Sequence, residues 1–112
     1  MILYHVTFQK NVPKILYHGL LLDKRKVWAN RYGVRLGEKG VIYAWRNWDR
    51  AWKWAYKQWY DFGYRPTAII KFDIEKKYVN IVETLYGEEC LVIVKVEPEE
   101  IKDVFMFDWT MP

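Results

Sequence analysis

The sequence predicts a single α+β domain spanning residues 1–112, with two helices in its N-terminal half and most of its strands late, in an antiparallel or mixed sheet. Three observations lead there. Gly40-Val41-Ile42-Tyr43-Ala44-Trp45 has the period of a short strand, and the stretch from Asn47 to Tyr56 then switches to the 3.6-residue period of a helix. The segment from Glu88 to Val96 is apolar on both faces, as a central strand would be. Finally, no repeat or linker divides the 112 residues.

Taken in order, Ile2 to Phe8 alternates, with Ile2, Tyr4, Val6 and Phe8 on one face and Leu3, His5 and Thr7 on the other, so it opens the chain as a strand. Asn11 is placed to cap a short helix with Pro13 in its first turn, Val12, Ile15 and Leu16 inward, and Gly19 at its end. From Asp23 to Lys39 no period holds, and the stretch reads as a long loop. On the central helix, Trp48, Trp52, Ala55 and Trp59 fall on one face. Trp54 lies among the charges, which suggests a ring available to a flat ligand. Strands follow at Thr67 to Ile74 and at Tyr78 to Val82. After the central strand at Glu88 to Val96, a helical turn at Pro98 to Ile101 leads to a closing strand over Val104 to Trp109.

Aromatic residues make up 19% of the chain, more than packing alone calls for. The single cysteine, Cys90, excludes an internal disulfide, and with only His5 and His18 beside it the chain lacks the soft ligands of a structural zinc site, so no metal is expected. No apolar run approaches a membrane span, and Met1 to His5 lacks a basic signal-peptide start; the expectation is an intracellular, cytoplasmic protein away from the membrane. The net charge of +4 is concentrated in the middle, where Lys24, Arg25, Lys26, Arg31, Arg35, Lys39, Arg46 and Arg50 face only Glu38 and Asp49. That distribution fits either an anionic partner or a solvated loop.

Singly, His5 reads as a sheet histidine, Tyr43 as core, and Glu88 or Glu89 as a solvated strand entrance. Together, in this order, they resemble the His-Tyr-Glu signature of the ADP-ribosyltransferase superfamily, in its diphtheria-toxin and poly(ADP-ribose) polymerase branch. Leu3-Tyr4-His5-Val6-Thr7 is similar to the first motif, with a helix ending in Gly19-Leu20 after it. Gly40-Val41-Ile42-Tyr43-Ala44 resembles the second, and Glu89-Cys90-Leu91-Val92 with Pro98 to Ile101 the third.

The resemblance implies a small split sheet and NAD as substrate, with ADP-ribose passed to a protein or nucleic-acid acceptor. It also implies roles. His5, with Val6 and Thr7 beside it, would hold ribose and nicotinamide. Tyr43 and Trp54 would clamp the nicotinamide ring, and Glu89 would steady the oxocarbenium-like charge. Glu88 is the alternative acid, since adjacent strand residues face opposite ways and only one can enter a cleft. Lys24, Arg25, Lys26, Arg31 and Arg35 are candidates for contacting phosphate. The chain also departs from the family. Val6 replaces the Gly or Ser after the histidine, and Gly87 stands two before Glu89 where acceptor-recognising acids or amides occur, which argues against arginine acceptors; Tyr4 rather than Arg precedes His5, which counts against the related RNA 2′-phosphotransferases. Two other readings stay open: a catalytically inactive module of the same fold holding single-stranded nucleic acid, and a small protein-interaction domain with a Trp-rich helix.

Overall fold

The computed structural model describes residues 1–22, 40–85 and 87–109. Among them, two helices and six strands form an α+β fold: β1 (Ile2–Phe8), α1 (Val12–His18), β2 (Ile42–Ala44), α2 (Trp48–Asp61), β3 (Thr67–Asp73), β4 (Val79–Thr84), β5 (Gly87–Val92) and β6 (Ile101–Met106). The strands make two antiparallel three-stranded sheets, ordered β1-β3-β6 and β2-β5-β4. An isolated antiparallel bridge, Tyr4 with Trp45, joins β1 of one sheet to the end of β2 in the other. There the two backbones exchange hydrogen bonds of 2.9 and 2.8 Å.

The first sheet is covered on both faces, which explains why β1 and β3 carry apolar residues at odd and even positions alike. Leu3, Ala68, Ile70 and Phe72 join Ile42, Ala44, Cys90 and Val92 in a core between the sheets, closed by Val12 of α1. Tyr4, Val6, Ile69 and Phe105 face the other way, onto Ala51 and Ala55 of α2.

The helices depart from the expected wheels in instructive ways. In α2 the buried positions are Ala51, Ala55 and Trp59, while Trp52 is 39% exposed. Trp52 is held at the helix edge by Trp109 from the chain's far end, edge-on at 5.2 Å, and Tyr56 meets the same indole at 5.3 Å. Trp109 in turn donates its indole N–H to Thr67 Oγ1 at 3.0 Å, and Thr67 donates to the Ala55 carbonyl at 3.1 Å. In α1, Val12 is buried but Leu16 is 50% exposed. Asn11 precedes the helix without capping it; its amide instead donates to Thr7 Oγ1 at 3.1 Å.

β5 lies central in its sheet as expected, yet it ends at Val92 rather than Val96. Val96 has a different partner, bridging to Leu20 just beyond α1. The closing strand begins earlier than the apolar pattern indicated, at Ile101, and stops before the aromatic run Phe107 to Trp109. No helix among the described residues is long and apolar enough to cross a membrane.

Candidate functional site

Past the Tyr4–Trp45 bridge, β1 and β2 make no further backbone ladder, and a cleft of about 530 Å³ opens beside them. Its walls come from β1, α1, β2, α2 and Glu89 of β5. Of the residues singled out in the sequence, His5, Val6, Thr7, Tyr43, Trp54 and Glu89 all line it. Glu88 does not. The candidates Lys24, Arg25, Lys26, Arg31 and Arg35 lie outside the described residues.

His5 reaches across the gap between the sheets, its Nδ1 2.7 Å from the carbonyl oxygen of Tyr43. A carbonyl only accepts, so Nδ1 carries the proton, and in the neutral ring the lone pair sits on Nε2. This one bond fixes both the ring's orientation and its tautomer.

Tyr43 pairs with Leu91 across β2 and β5, so by strand alternation Tyr43, Leu91 and Glu89 share a face of the second sheet. Leu91 and Trp45 are buried beside the half-buried Glu89. Burial raises the Glu89 carboxyl above the ordinary glutamate range, because a low-dielectric surrounding disfavours the charged form. Glu88, one residue earlier, points the opposite way. Arg46 Nη2 contacts both of its carboxylate oxygens, at 2.7 and 2.9 Å. Glu89 therefore lines the cleft, while Glu88 pairs with Arg46 and is not among the lining residues.

Trp54 is half-buried on the cleft side of α2, its ring 6.1 Å from that of Trp45 and tilted by 53°. The off-pattern tryptophan therefore faces the same opening as Tyr43.

The cleft also takes in polar residues that the sequence reading passed over. Asn11, Lys14 and His18 form a stripe along α1 with Ile15, and Gln58 follows Trp54 one turn along α2. The signal was present: Asn11, Lys14, Ile15 and His18 have the spacing of one helix face, although only Ile15 belongs to the apolar face read from the pattern. Tyr43 and Trp54 bring two aromatic rings to the cleft, His5 and Glu89 bring polar groups, and Lys14 and His18 add polar groups along α1.

No protein-family model matches the chain, and no curated protein matches it in sequence.

Proposed function

We propose that the protein is an NAD-dependent ADP-ribosyltransferase, transferring ADP-ribose from NAD to a protein or nucleic-acid acceptor. The observation that carries this reading is the convergence of His5, Tyr43, Trp54 and Glu89 on one cleft from four separate elements, β1, β2, α2 and β5. In this account NAD lies along the cleft with its nicotinamide between Tyr43 and Trp54. His5, oriented by the Tyr43 carbonyl, meets the nicotinamide-ribose edge. As the bond between C1′ and the nicotinamide nitrogen lengthens, its electron pair leaves with nicotinamide and positive charge grows on the ribose. Glu89 offers a fixed negative charge where that positive charge develops, an interaction stronger in the transition state than in the substrate complex.

The direct test is release of nicotinamide from NAD, followed together with NAD binding. Trp54→Ala is expected to weaken NAD binding by about 1–3 kcal/mol, the range for losing one stacked ring. Its thermal midpoint should fall as well, since the half-buried ring packs against the cluster of Trp45, Ala51, Ala55 and Ile69, so binding is read on the folded variant. A large fall in thermal midpoint with unchanged NAD affinity would make Trp54 a packing residue and overturn its assignment. NAD binding without nicotinamide release, with or without acceptor, would indicate the inactive module instead.

A further inference from the structure

β4 is an outer strand of its sheet, and the ladder on its inner side fixes which of its backbone groups face outward. In an antiparallel pair a residue turns both its N–H and its C=O to the same neighbour, and successive residues turn opposite ways. Tyr78 accepts from the Ile93 amide at 3.0 Å, and the register with β5 continues through Asn80 with Leu91 and Val82 with Glu89. Asn80 and Val82 therefore bond to β5. Val79, Ile81 and Glu83 turn the other way, to the open side. The Val79 amide closes the preceding turn on the Lys76 carbonyl, which leaves the Val79 carbonyl and both backbone groups of Ile81 and Glu83 directed outward without a backbone partner among the described residues.

The other strand edges are bridged or blunted. β1 is bridged to Trp45, and the carbonyl of Tyr43 on β2 is taken by His5. On β6 the register with β3 shifts between Lys71 and Phe72, and the Asp103 carboxylate accepts from the Val104 amide at 2.8 Å. β4 has no proline, no lysine and an unbroken register, so it lacks the devices that keep such an edge from pairing. It presents Ile81, 41% exposed, and is followed by Leu85, 98% exposed.

We propose that β4 pairs antiparallel with β4 of a second copy of the chain about a two-fold axis at Ile81, joining the two β2-β5-β4 sheets into one continuous sheet. Such an interface is isologous, the same strand meeting itself. In this register Ile81 exchanges both backbone bonds with its counterpart, and the Glu83 amide of each copy donates to the Val79 carbonyl of the other. Ile81 meets Ile81 and is withdrawn from water.

Charge selects this register and this occupant. Glu83 stands opposite Glu88 across the ladder and makes no ion pair among the described residues, whereas Lys76 and Lys77 occupy the turn at the strand's other end. Pairing about Ile81 brings each Glu83 toward the Lys76–Lys77 turn of the other copy. Sliding the axis to Val82 would instead set the two Glu83 side chains diagonal to each other, a like-charge contact. A strand of unrelated sequence would meet the same backbone groups without this match of ends. No β4 residue lines the cleft, so the pairing stands or falls apart from the transferase reading.

The test follows the purified full chain from micromolar to near-millimolar concentration by sedimentation equilibrium and by amide hydrogen exchange. Mass is expected to rise from 13.7 kDa toward twice that value. Over the same range, exchange at the Ile81 and Glu83 amides should slow about tenfold or more, while Asn80 and Val82, already bonded to β5, change less. Ile81→Lys sets like charges opposite each other and should raise the dimer Kd about tenfold or more, as should Ile81→Glu. An equimolar mixture of the two should associate more tightly than either alone, because residue 81 then faces its opposite charge. A chain that stays monomeric throughout, a dimer with unaltered exchange at Ile81 and Glu83, an unchanged Kd in Ile81→Lys, or a mixture no tighter than its components would overturn the proposal. Should either variant not fold, the wild-type exchange profile decides alone.

Discussion

Glu89→Gln is expected to reduce nicotinamide release by about 10²- to 10³-fold, the range for removing one charge-stabilising group from a preorganised site. NAD affinity should change little, since the amide keeps the size and hydrogen bonding of the acid and only its charge is lost. Glu88→Gln should alter the rate far less, because that carboxylate is paired with Arg46 outside the cleft and such a surface pair is worth at most about 1 kcal/mol.

The raised pKa of Glu89 adds a pH signature. The working form is the carboxylate, so activity is present above the shifted pKa and is lost as pH falls through it. The acid limb of the rate profile should therefore lie above the ordinary glutamate range. Stability runs the other way. The folded state binds this proton more tightly than the unfolded chain, so stability falls as pH rises between the ordinary and the raised value. Glu89→Gln should thus be no less stable than wild type at neutral pH, which separates a lost rate from a lost fold. Equal, small losses in the two variants would contradict the assigned role, and loss confined to Glu88→Gln would exchange the two acids.

Gly19→Ala is expected to destabilise the protein by about 3–5 kcal/mol, combining the strain of a glycine-only conformation with the loss of two hydrogen bonds. Gly19 has φ +83° and ψ −174°, and a Cβ there would sit 2.0 Å from the carbonyl oxygen of Val96. That carbonyl cannot yield cheaply, because Leu20 and Val96 exchange backbone hydrogen bonds of 2.9 and 3.0 Å. The same bridge anchors the end of α1 from which His18 lines the cleft. A reduced midpoint of urea unfolding, with weaker NAD binding in the fraction that remains folded, is the expected pairing. An unchanged midpoint would mean that the chain around Gly19 adapts freely.

How far the sequence could be read follows from which contacts are local. The α+β class follows from the switch between strand-like and helix-like stretches, and β1, α2 and β3 stand where the sequence places them because each is an unbroken run of strand-forming or helix-forming residues. A helical wheel places Trp52 on the buried face because it registers spacing alone; in the fold the buried stripe is Ala51, Ala55 and Trp59, and Trp52 at its edge packs on Trp109, 57 positions later in the chain. The end of β5 was misplaced for a similar reason. The apolar run continues past Val92, but Val96 pairs with Leu20, a partner that no period reveals.

At the site, alternation alone required Glu88 and Glu89 to face apart, while the choice between them needed Arg46 on one side and the cleft on the other. Trp54 was legible as an exception to its own helix.

The central claim is that one cleft holds the dinucleotide against His5, Tyr43, Trp54 and Glu89. It is tested most directly by titrating the ¹⁵N-labelled protein with NAD and following backbone amide and indole resonances. The account predicts saturable shifts at the Trp54 indole and at the amides of His5 to Thr7, Ile42 to Ala44 and Glu89 to Cys90, with the Trp109 indole unmoved at its bond to Thr67. An NAD titration that leaves these resonances in place, or that moves the Trp52 and Trp109 indoles instead, would contradict it.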